Sequence, residues 1–330
     1  MSRVAIVVIG RNEGDRLAAC LSSVAGEGGP VVYVDSGSTD GSPALARARG
    51  ADVVELDPAT PFSAARARNE GLARALALEP RTELVQFVDG DCVLAAGWLR
   101  EGAALLDGDP SLAAVCGRVR ELHRERSIYN RLCDLEWDVP PGEARSCGGI
   151  AMMRAGAVLQ AGGFDASLIA GEEPELCLRL RRAGWRILRT RSEMAWHDAD
   201  MLSFGQWWRR TLRGGWGYAE GAALHGASPD RLWVRENRSI LFWGALLPAT
   251  ALATAVPTGG ASLLLLAGYP ALATRIYLRA RQRGLARADA ALQAIFFVLA
   301  KFPQAIGQQQ FRLLRAAGRR RRVVDWKPAS

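Results

Sequence analysis

The chain is poor in the residues that build metal cages and disulfide frameworks. Only three histidines occur in 330 residues, His123, His197 and His225. Six cysteines are scattered at positions 20, 92, 116, 133, 147 and 177, with no Cys-x-x-Cys pair. That spacing argues against a zinc site or a disulfide scaffold and fits a reducing compartment. No Gly-x-Gly-x-x-Gly follows the first apolar run, which disfavours a dinucleotide-dependent oxidoreductase. No charged-then-apolar leader precedes that run either, so the amino terminus is expected in the cytoplasm. Internal repeats and low-complexity segments are missing. The length accommodates one full α/β domain and one further module.

What is present begins with Arg3 to Ile9, a β-branched run that ends at Gly10 and reads as a buried parallel strand. After Arg11-Asn12-Glu13-Gly14 comes a helical pattern with Leu17, Cys20, Leu21 and Val24 on one face. Val31 to Val34 reads as a second strand running into Asp35 to Ser42, and Asp52 to Leu56 as a third after a helix. This alternation predicts right-handed crossovers and an α/β fold with a mostly parallel sheet. Ligands of such sheets sit beyond the carboxyl ends of strands. Three polar loops fall there: Gly10 to Glu13, Asp35 to Asp40, and Asp89 to Asp91.

The last of these, Phe87-Val88-Asp89-Gly90-Asp91, sets two carboxylates around one glycine after an apolar run. Side chains two apart in such a loop can converge on one hard cation, Mg²⁺ or Mn²⁺, that keeps positions open for phosphates. Taken alone, an Asp-x-Asp turn is also an ordinary solvated loop.

Five motifs in order carry a resemblance: VVIGRNEGDRL, VDSGSTDGS, FSAARARNEGLARA, FVDGDC, and the stretch from CGGIAMMRAG to EEPELCLRLRRAGW. Over roughly residues 3 to 200 the chain resembles a family 2 glycosyltransferase of the membrane-associated bacterial type. The resemblance implies a GT-A fold, Rossmann-like, binding a nucleotide-diphosphate sugar through Asn12, Glu13, Asp35, Arg68, Asp89, Gly148 and Gly149. It implies that Asp91 contacts the metal and that Asp89 binds the ribose or a metal-bound water. His197 would be a third ligand or a diphosphate contact, or else a structural histidine. Asp35 would meet the nucleobase edge, or simply make an Asx turn. Asp40, followed by Gly41, reads equally as a helix N-cap. Arg66 and Arg68 are two apart and cannot share a helix face, so Arg68 is expected at the diphosphate while Arg66 is solvated. Gly148 and Gly149 would lie beside the donor sugar, where glycine permits close approach of the backbone.

The catalytic base is expected in Gly171-Glu172-Glu173-Pro174-Glu175. Family members usually carry Glu-Asp here, and the second residue, Glu173 by position, deprotonates the acceptor. Glu for Asp adds a methylene, which leaves Glu172 as the other candidate. The same residues also suit the charged first turn of a helix, with Pro174 at an N1-like position. Gln206-Trp207-Trp208-Arg209-Arg210 partly matches the Gln-x-x-Arg-Trp motif of processive members. Trp207, Trp208 and Arg209 would then contact the acceptor, or lie in a membrane-interface helix.

Charge is unevenly placed. Residues 235–330 hold 15 Lys/Arg against 3 Asp/Glu, and with +8 for the whole chain the remainder is net negative. Basicity confined to a tail predicts anionic membrane lipids as partners and no nucleic acid. Residues 1–230 are expected to form the GT-A domain and 231–330 a helical membrane module. Within that module, 239–274 reads as an apolar hairpin, 275–287 as a basic cytoplasmic loop, and 288–306 as an interfacial or third spanning segment. Residues 312–330 read as a basic tail. The whole reads as an inverting, metal-dependent glycosyltransferase at the cytoplasmic membrane, its catalytic domain facing the cytoplasm. It would move sugar to a hydroxyl of a lipid-linked or glycan acceptor in surface polysaccharide or glycolipid assembly. A processive polysaccharide synthase and a non-catalytic nucleotide-sugar-binding adaptor are the alternatives.

Overall fold

The computed structural model describes residues 3–26 and 29–318; residues 319–330 of the expected basic tail lie outside them. The described residues divide into two compact units, residues 3–124 with 136–200, and residues 125–135 with 201–318.

The first unit runs β1 (Val4–Gly10), α1 (Asp15–Val24), β2 (Val31–Asp35), α2 (Ser42–Ala48), β3 (Asp52–Glu55), α3 (Ala64–Leu78), β4 (Leu84–Asp89), β5 (Cys92–Leu94), α4 (Trp98–Gly108) and β6 (Leu112–Glu121). Helix α5 (Ile128–Trp137) belongs mainly to the other unit. Then follow β7 (Gly142–Glu143), β8 (Ala151–Arg154), α6 (Ala155–Gln160), α7 (Glu172–Arg182) and β9 (Arg186–His197). One sheet has the order β3-β2-β1-β4-β8-β6-β9-β5, with β7 paired to β9. Its first four strands are parallel. Strand β8 enters antiparallel to β4 and β6, whereas β6 and β9 run parallel. The sheet is thus parallel on its amino-terminal half and mixed beyond.

The interior positions of β1 are all buried, as a central strand with helices on both faces requires. Leu17, Cys20, Leu21 and Val24 of α1 are the buried stripe of that helix. Helix α3, capped by Ser63, comes unusually close to the sheet. A methyl at Gly71 would stand 2.3 Å from Val7 Cγ1 and 3.0 Å from Val34 Cγ2. The glycine lets α3 lie down on β1 and β2, and one turn earlier the same face carries Arg68 to the carboxyl edge of the sheet. Helix α7 starts at Glu172, so Pro174 occupies the third helical position, not the first. Its missing N–H still costs nothing there, because the first-turn donors have no intrahelical acceptor.

The second unit continues with α8 (Phe204–His225), α9 (Val234–Leu241), a π-helical run at Phe242–Leu246, α10 (Leu247–Ala253), a 3₁₀ run at Ala261–Ala267, α11 (Gly268–Gln282), α12 (Arg287–Leu299) and α13 (Lys301–Ala316). It starts at Met201, earlier than the boundary expected near residue 230. The reason is a close helix crossing. A Cβ on Gly215 would fall 2.2 Å from the Gln304 carbonyl oxygen, and one on Gly307 would fall 2.1 Å from that of Leu212. Backbones that near bind α8 to α13, so α8 packs with the helical unit.

Among the described residues, two helices are long and apolar enough to cross a membrane, Ala261–Gln282 and Arg287–Ala316. The first arm of the expected hairpin is not one of them. Its helix ends at Ala253 and its opening turns carry Arg235, Glu236 and Arg238, which leaves the apolar part short of spanning length. No part of the most apolar window of 261–282 is buried, against 44% of that of 287–316.

Gly71→Ala tests the packing of α3. Helix propensity gains about 1 kcal/mol from alanine, but inserting a methyl into filled space costs about 1–3 kcal/mol. The expected result is a lower urea midpoint with an unchanged slope.

Candidate active site

The sheet's carboxyl edge gathers the three loops. Gly90 N–H donates to the Ile9 carbonyl at 2.8 Å, which pins the Asp89–Asp91 turn against the end of β1. Between them lies the buried Glu13, whose Cγ would come within 3.1 Å of a Cβ at Gly10 and 3.3 Å of one at Gly90. Its carboxylate pairs with Arg16 at 3.1 Å. Asn12 joins this loop to the next: its N–H donates to Ser38 Oγ at 2.9 Å, and its Oδ1 accepts from the Thr39 N–H at 2.8 Å.

Asp35, at the end of β2, is buried and committed to its own loop. It accepts from the N–H groups of Gly37 and Ser38 at 2.9 and 2.7 Å, and from the hydroxyls of Tyr33 and Ser38 at 2.9 and 2.5 Å. Asp40 accepts from the Ser42 N–H and hydroxyl and from the Gly14 N–H. Burial pushes its carboxyl upward, but these donors outweigh burial and hold it below its ordinary range. Asp40 therefore both steadies the start of α2 and ties it to the first loop.

Arg68 is the centre of the cluster. It is 3% exposed, and its Nη2 donates to Asp89 Oδ1 at 2.9 Å while Nη1 donates to Glu172 Oε1 at 2.6 Å. Burial lowers its pKa, yet the two carboxylates more than offset this and keep it charged. The guanidinium also lies 5.6 Å from the Phe164 ring. Arg66, on another face, donates to the carbonyls of Asp57 and Thr60. Asn69 clamps the loop ahead of α7, exchanging hydrogen bonds with the Phe164 backbone at 2.7 and 2.9 Å. Gly149 completes the enclosure: a methyl there would stand 2.7 Å from Arg68 Nη2 and 3.2 Å from Asp89 Oδ2. Gly148 has φ +90°, a conformation that suits glycine.

Asp91 sits in a second polar group. His197 Nε2 is 3.4 Å from Asp91 Oδ2, and His197 Nδ1 is 3.6 Å from Glu121 Oε2. Strand register brings them together, since His197 on β9 stands opposite Cys92 of β5 and Glu121 of β6. Glu121, which the sequence reading passed over, is buried and accepts from the Ala199 N–H at 3.2 Å. The Trp137 ring packs on His197 at 4.6 Å, edge to face.

The donor set suits a divalent cation. Asp89 and Asp91 are hard oxygen ligands, and the imidazole favours Mn²⁺ over Mg²⁺. Cys92 is an unsuitable partner for such an ion. Burial and the neighbouring aspartates raise its thiol pKa well above the ordinary value, and its Sγ donates to Asp91 at 3.4 Å.

Glu173 is 4% exposed. Its Oε1 accepts from the Cys147 N–H at 2.6 Å and from the thiols of Cys147 and Cys177 at 3.0 and 2.8 Å. Burial raises its pKa, only partly opposed by the donors from Cys177, Cys147 and Gly148. Burial also pushes the Cys177 thiol up to about 12, so it stays protonated and donates. Glu172 is half-buried and faces Arg68. In the second unit, Trp207 is buried edge-on against Phe296 at 5.0 Å, Trp208 is half-buried and Arg209 is exposed.

The family model for glycosyl transferase family 2 matches residues 5–151. Over 114 residues the chain is 36% identical to a TPR repeat-containing protein of Synechococcus elongatus, a match covering 31% of this chain and 28% of that protein. Over 153 residues it is 30% identical to the pre-mycofactocin glycosyltransferase of Mycobacterium tuberculosis, covering 41% of this chain and 30% of the other. The chain therefore spans less than a third of the length of these curated relatives. A mannosyltransferase from Pyrobaculum calidifontis, solved in complex with GDP-Man and Mn²⁺, shares its fold, with a TM-score of 0.54 and 21% identity over 96% of this chain and 86% of that one. The fold is GT-A, and residues 5–151 match glycosyl transferase family 2.

Gly149→Ala tests the close packing at Arg68. The added methyl must displace the guanidinium or the Asp89 carboxylate. The buried pairing is expected to loosen, read as a melting temperature below that of the wild type, since disturbing a buried ion pair is destabilising.

Proposed function

We propose that the protein is an inverting, metal-dependent glycosyltransferase that moves a sugar from a nucleotide-diphosphate donor to a hydroxyl group of a lipid-linked or glycan acceptor. The observation that carries this reading is Arg68, buried between Asp89 and Glu172 in a chain whose residues 5–151 match the family 2 model. It couples the loop expected to hold the donor diphosphate to the helix expected to hold the base.

In this reading Asn12, Glu13 and Asp35 shape the nucleotide pocket, with Asp35 organising the loop that receives the base. Asp89, Asp91 and His197 would hold the divalent cation. When bound, that ion supplies positive charge against the departing diphosphate. Gly148 and Gly149 leave room for the sugar beside Arg68. Glu173 accepts the proton of the acceptor hydroxyl as the hydroxyl attacks the anomeric carbon. Its raised pKa is the direction a base working near neutrality needs. A second reading places the base at Glu172, favoured by that residue's greater exposure and its contact with Arg68. Trp208 and Arg209 offer surface for an acceptor, and the buried Trp207 packs against Phe296. The exposed apolar face of 261–282 and the basic stretch 275–287 support placement at the cytoplasmic membrane, with the catalytic domain on the cytoplasmic side and a product destined for surface glycan or glycolipid. Mn²⁺ or Mg²⁺ is the proposed cofactor.

The test uses membranes containing the full chain, a panel of labelled nucleotide sugars and a lipid extract. Glu173→Gln is expected to lower turnover by about 10²–10⁴-fold. The acid limb of the wild-type profile should lie above the ordinary carboxylate range, since a carboxylate of raised pKa is lost as base while pH is still falling toward that range. If Glu172→Gln abolishes that limb and Glu173→Gln keeps it, the base is Glu172. If both variants keep full turnover, neither is the base.

A further inference from the structure

The second unit contains an open groove that the reaction above does not use. Its cavity volume is about 650 Å³, and α8, α9 and α13 form its walls. Ala219 and Ala222 give it a small, apolar floor, and Phe311 one side. Arg238, Arg312 and Arg315 line its rim, and among the described residues no acidic side chain lines it. All three arginines are exposed. Arg315 is steadied 5.8 Å from the centre of the Phe311 ring, a cation–π distance. Asn237 lines the same groove, and its Oδ1 is buried without a hydrogen-bond partner among the described residues. A buried acceptor left unpaired costs free energy until a donor reaches it. Arg312 and Arg315 close the helical stretch 287–316, which is apolar and long enough to cross a membrane.

These features select one kind of occupant. Guanidinium groups are suited to phosphate, which they bind through forked hydrogen bonds. A free phosphate would leave the alanine floor and the Phe311 side wet, whereas acyl or prenyl methylenes would cover them. A hydroxyl of a glycerol or sugar headgroup would satisfy Asn237 Oδ1. The volume is that of a ligand pocket and admits a headgroup with its first methylenes. The position beside the end of an apolar helix is where a headgroup stands.

We propose that this groove binds the anionic phosphate headgroup of a membrane lipid. The phosphate lies among Arg238, Arg312 and Arg315, and the start of its chain lies on Ala219 and Ala222. The inference rests on the membrane association proposed above and is independent of sugar transfer.

The full chain, purified in uncharged detergent, is titrated calorimetrically with short-chain phosphatidic acid, short-chain phosphatidylcholine and inorganic phosphate. Saturable binding of phosphatidic acid is expected, with the other two at least about tenfold weaker, the equivalent of one charge-assisted contact. The triple variant R238A/R312A/R315A should lose that binding. So should Ala222→Trp, which fills the floor and leaves the charge intact. The charge-matched triple R81A/R100A/R191A, at exposed arginines of the first unit, should bind as the wild type does. Equal loss in the charge-matched triple would reduce the effect to bulk charge and overturn the site. Equal affinity for inorganic phosphate or for phosphatidylcholine, or unchanged binding in Ala222→Trp, would overturn it too. Co-sedimentation with anionic vesicles is read alongside. Vesicle binding without a saturable short-chain site sinks the groove alone, and no vesicle binding sinks the membrane reading with it.

Discussion

A guanidinium buried between two carboxylates is the constraint around which the first unit is arranged. Arg68 has to remain charged at 3% exposure, and it can do so because Asp89 and Glu172 each take one of its terminal nitrogens. Removing one member of such a group leaves uncompensated charge in a poorly solvated place, typically at a cost of about 3–5 kcal/mol. The pairing therefore ties together three separate pieces of backbone: the middle of α3, the end of β4 and the first turn of α7. Gly71 brings α3 down far enough for the side chain to arrive, and Gly149 lets the neighbouring loop close over it.

The remaining polar groups at this edge are organised by strand ends rather than by long side chains. Asp35 and Asp40 spend their oxygens on backbone N–H groups and hydroxyls of adjacent loops, which holds the rim in shape before any ligand arrives. Asp91, His197 and Glu121 meet because β5, β6 and β9 run side by side in a fixed register. Glu173 belongs to a different environment. Two protonated thiols and a backbone amide hold a carboxylate that burial makes more basic. Glu172, its neighbour in sequence, instead turns to Arg68, so the two glutamates stand in different surroundings.

Local pattern was enough to read some of this from the chain. Asp89 and Asp91 stood out because they follow a strand-like apolar run in the company of four other ordered motifs, and helix spacing put Arg66 and Arg68 on different faces without saying which one meets the site. The buried stripe of α1 followed from its spacing. What escaped were relations across distance. Glu121 matters only because β6 pairs with a strand more than seventy residues later, and no local signal marks that register beyond a carboxylate at a strand end. The contacts between Cys147, Cys177 and Glu173 depend likewise on a loop reaching a helix. Assignment of α8 to the helical unit turns on Gly215 and Gly307, and single glycines in helices look destabilising until their partner backbone is known. The entry of β8 into the sheet in the antiparallel sense could not be inferred from an apolar run, which carries no direction.

The second unit supplies an exposed apolar surface on 261–282 and a cationic groove at the end of 287–316. A sugar donor in water and an acceptor in lipid would call for both. The central claim concerns the rim of the sheet, where an aspartate-held cation is proposed to hold a nucleotide diphosphate. Calorimetric titration of the full chain with UDP and with GDP, with and without Mn²⁺, tests it most directly when repeated on Asp91→Asn. The account predicts tight binding of at least one nucleotide that requires Mn²⁺ and is lost in the variant. Binding of equal strength without metal, or in Asp91→Asn, would contradict it.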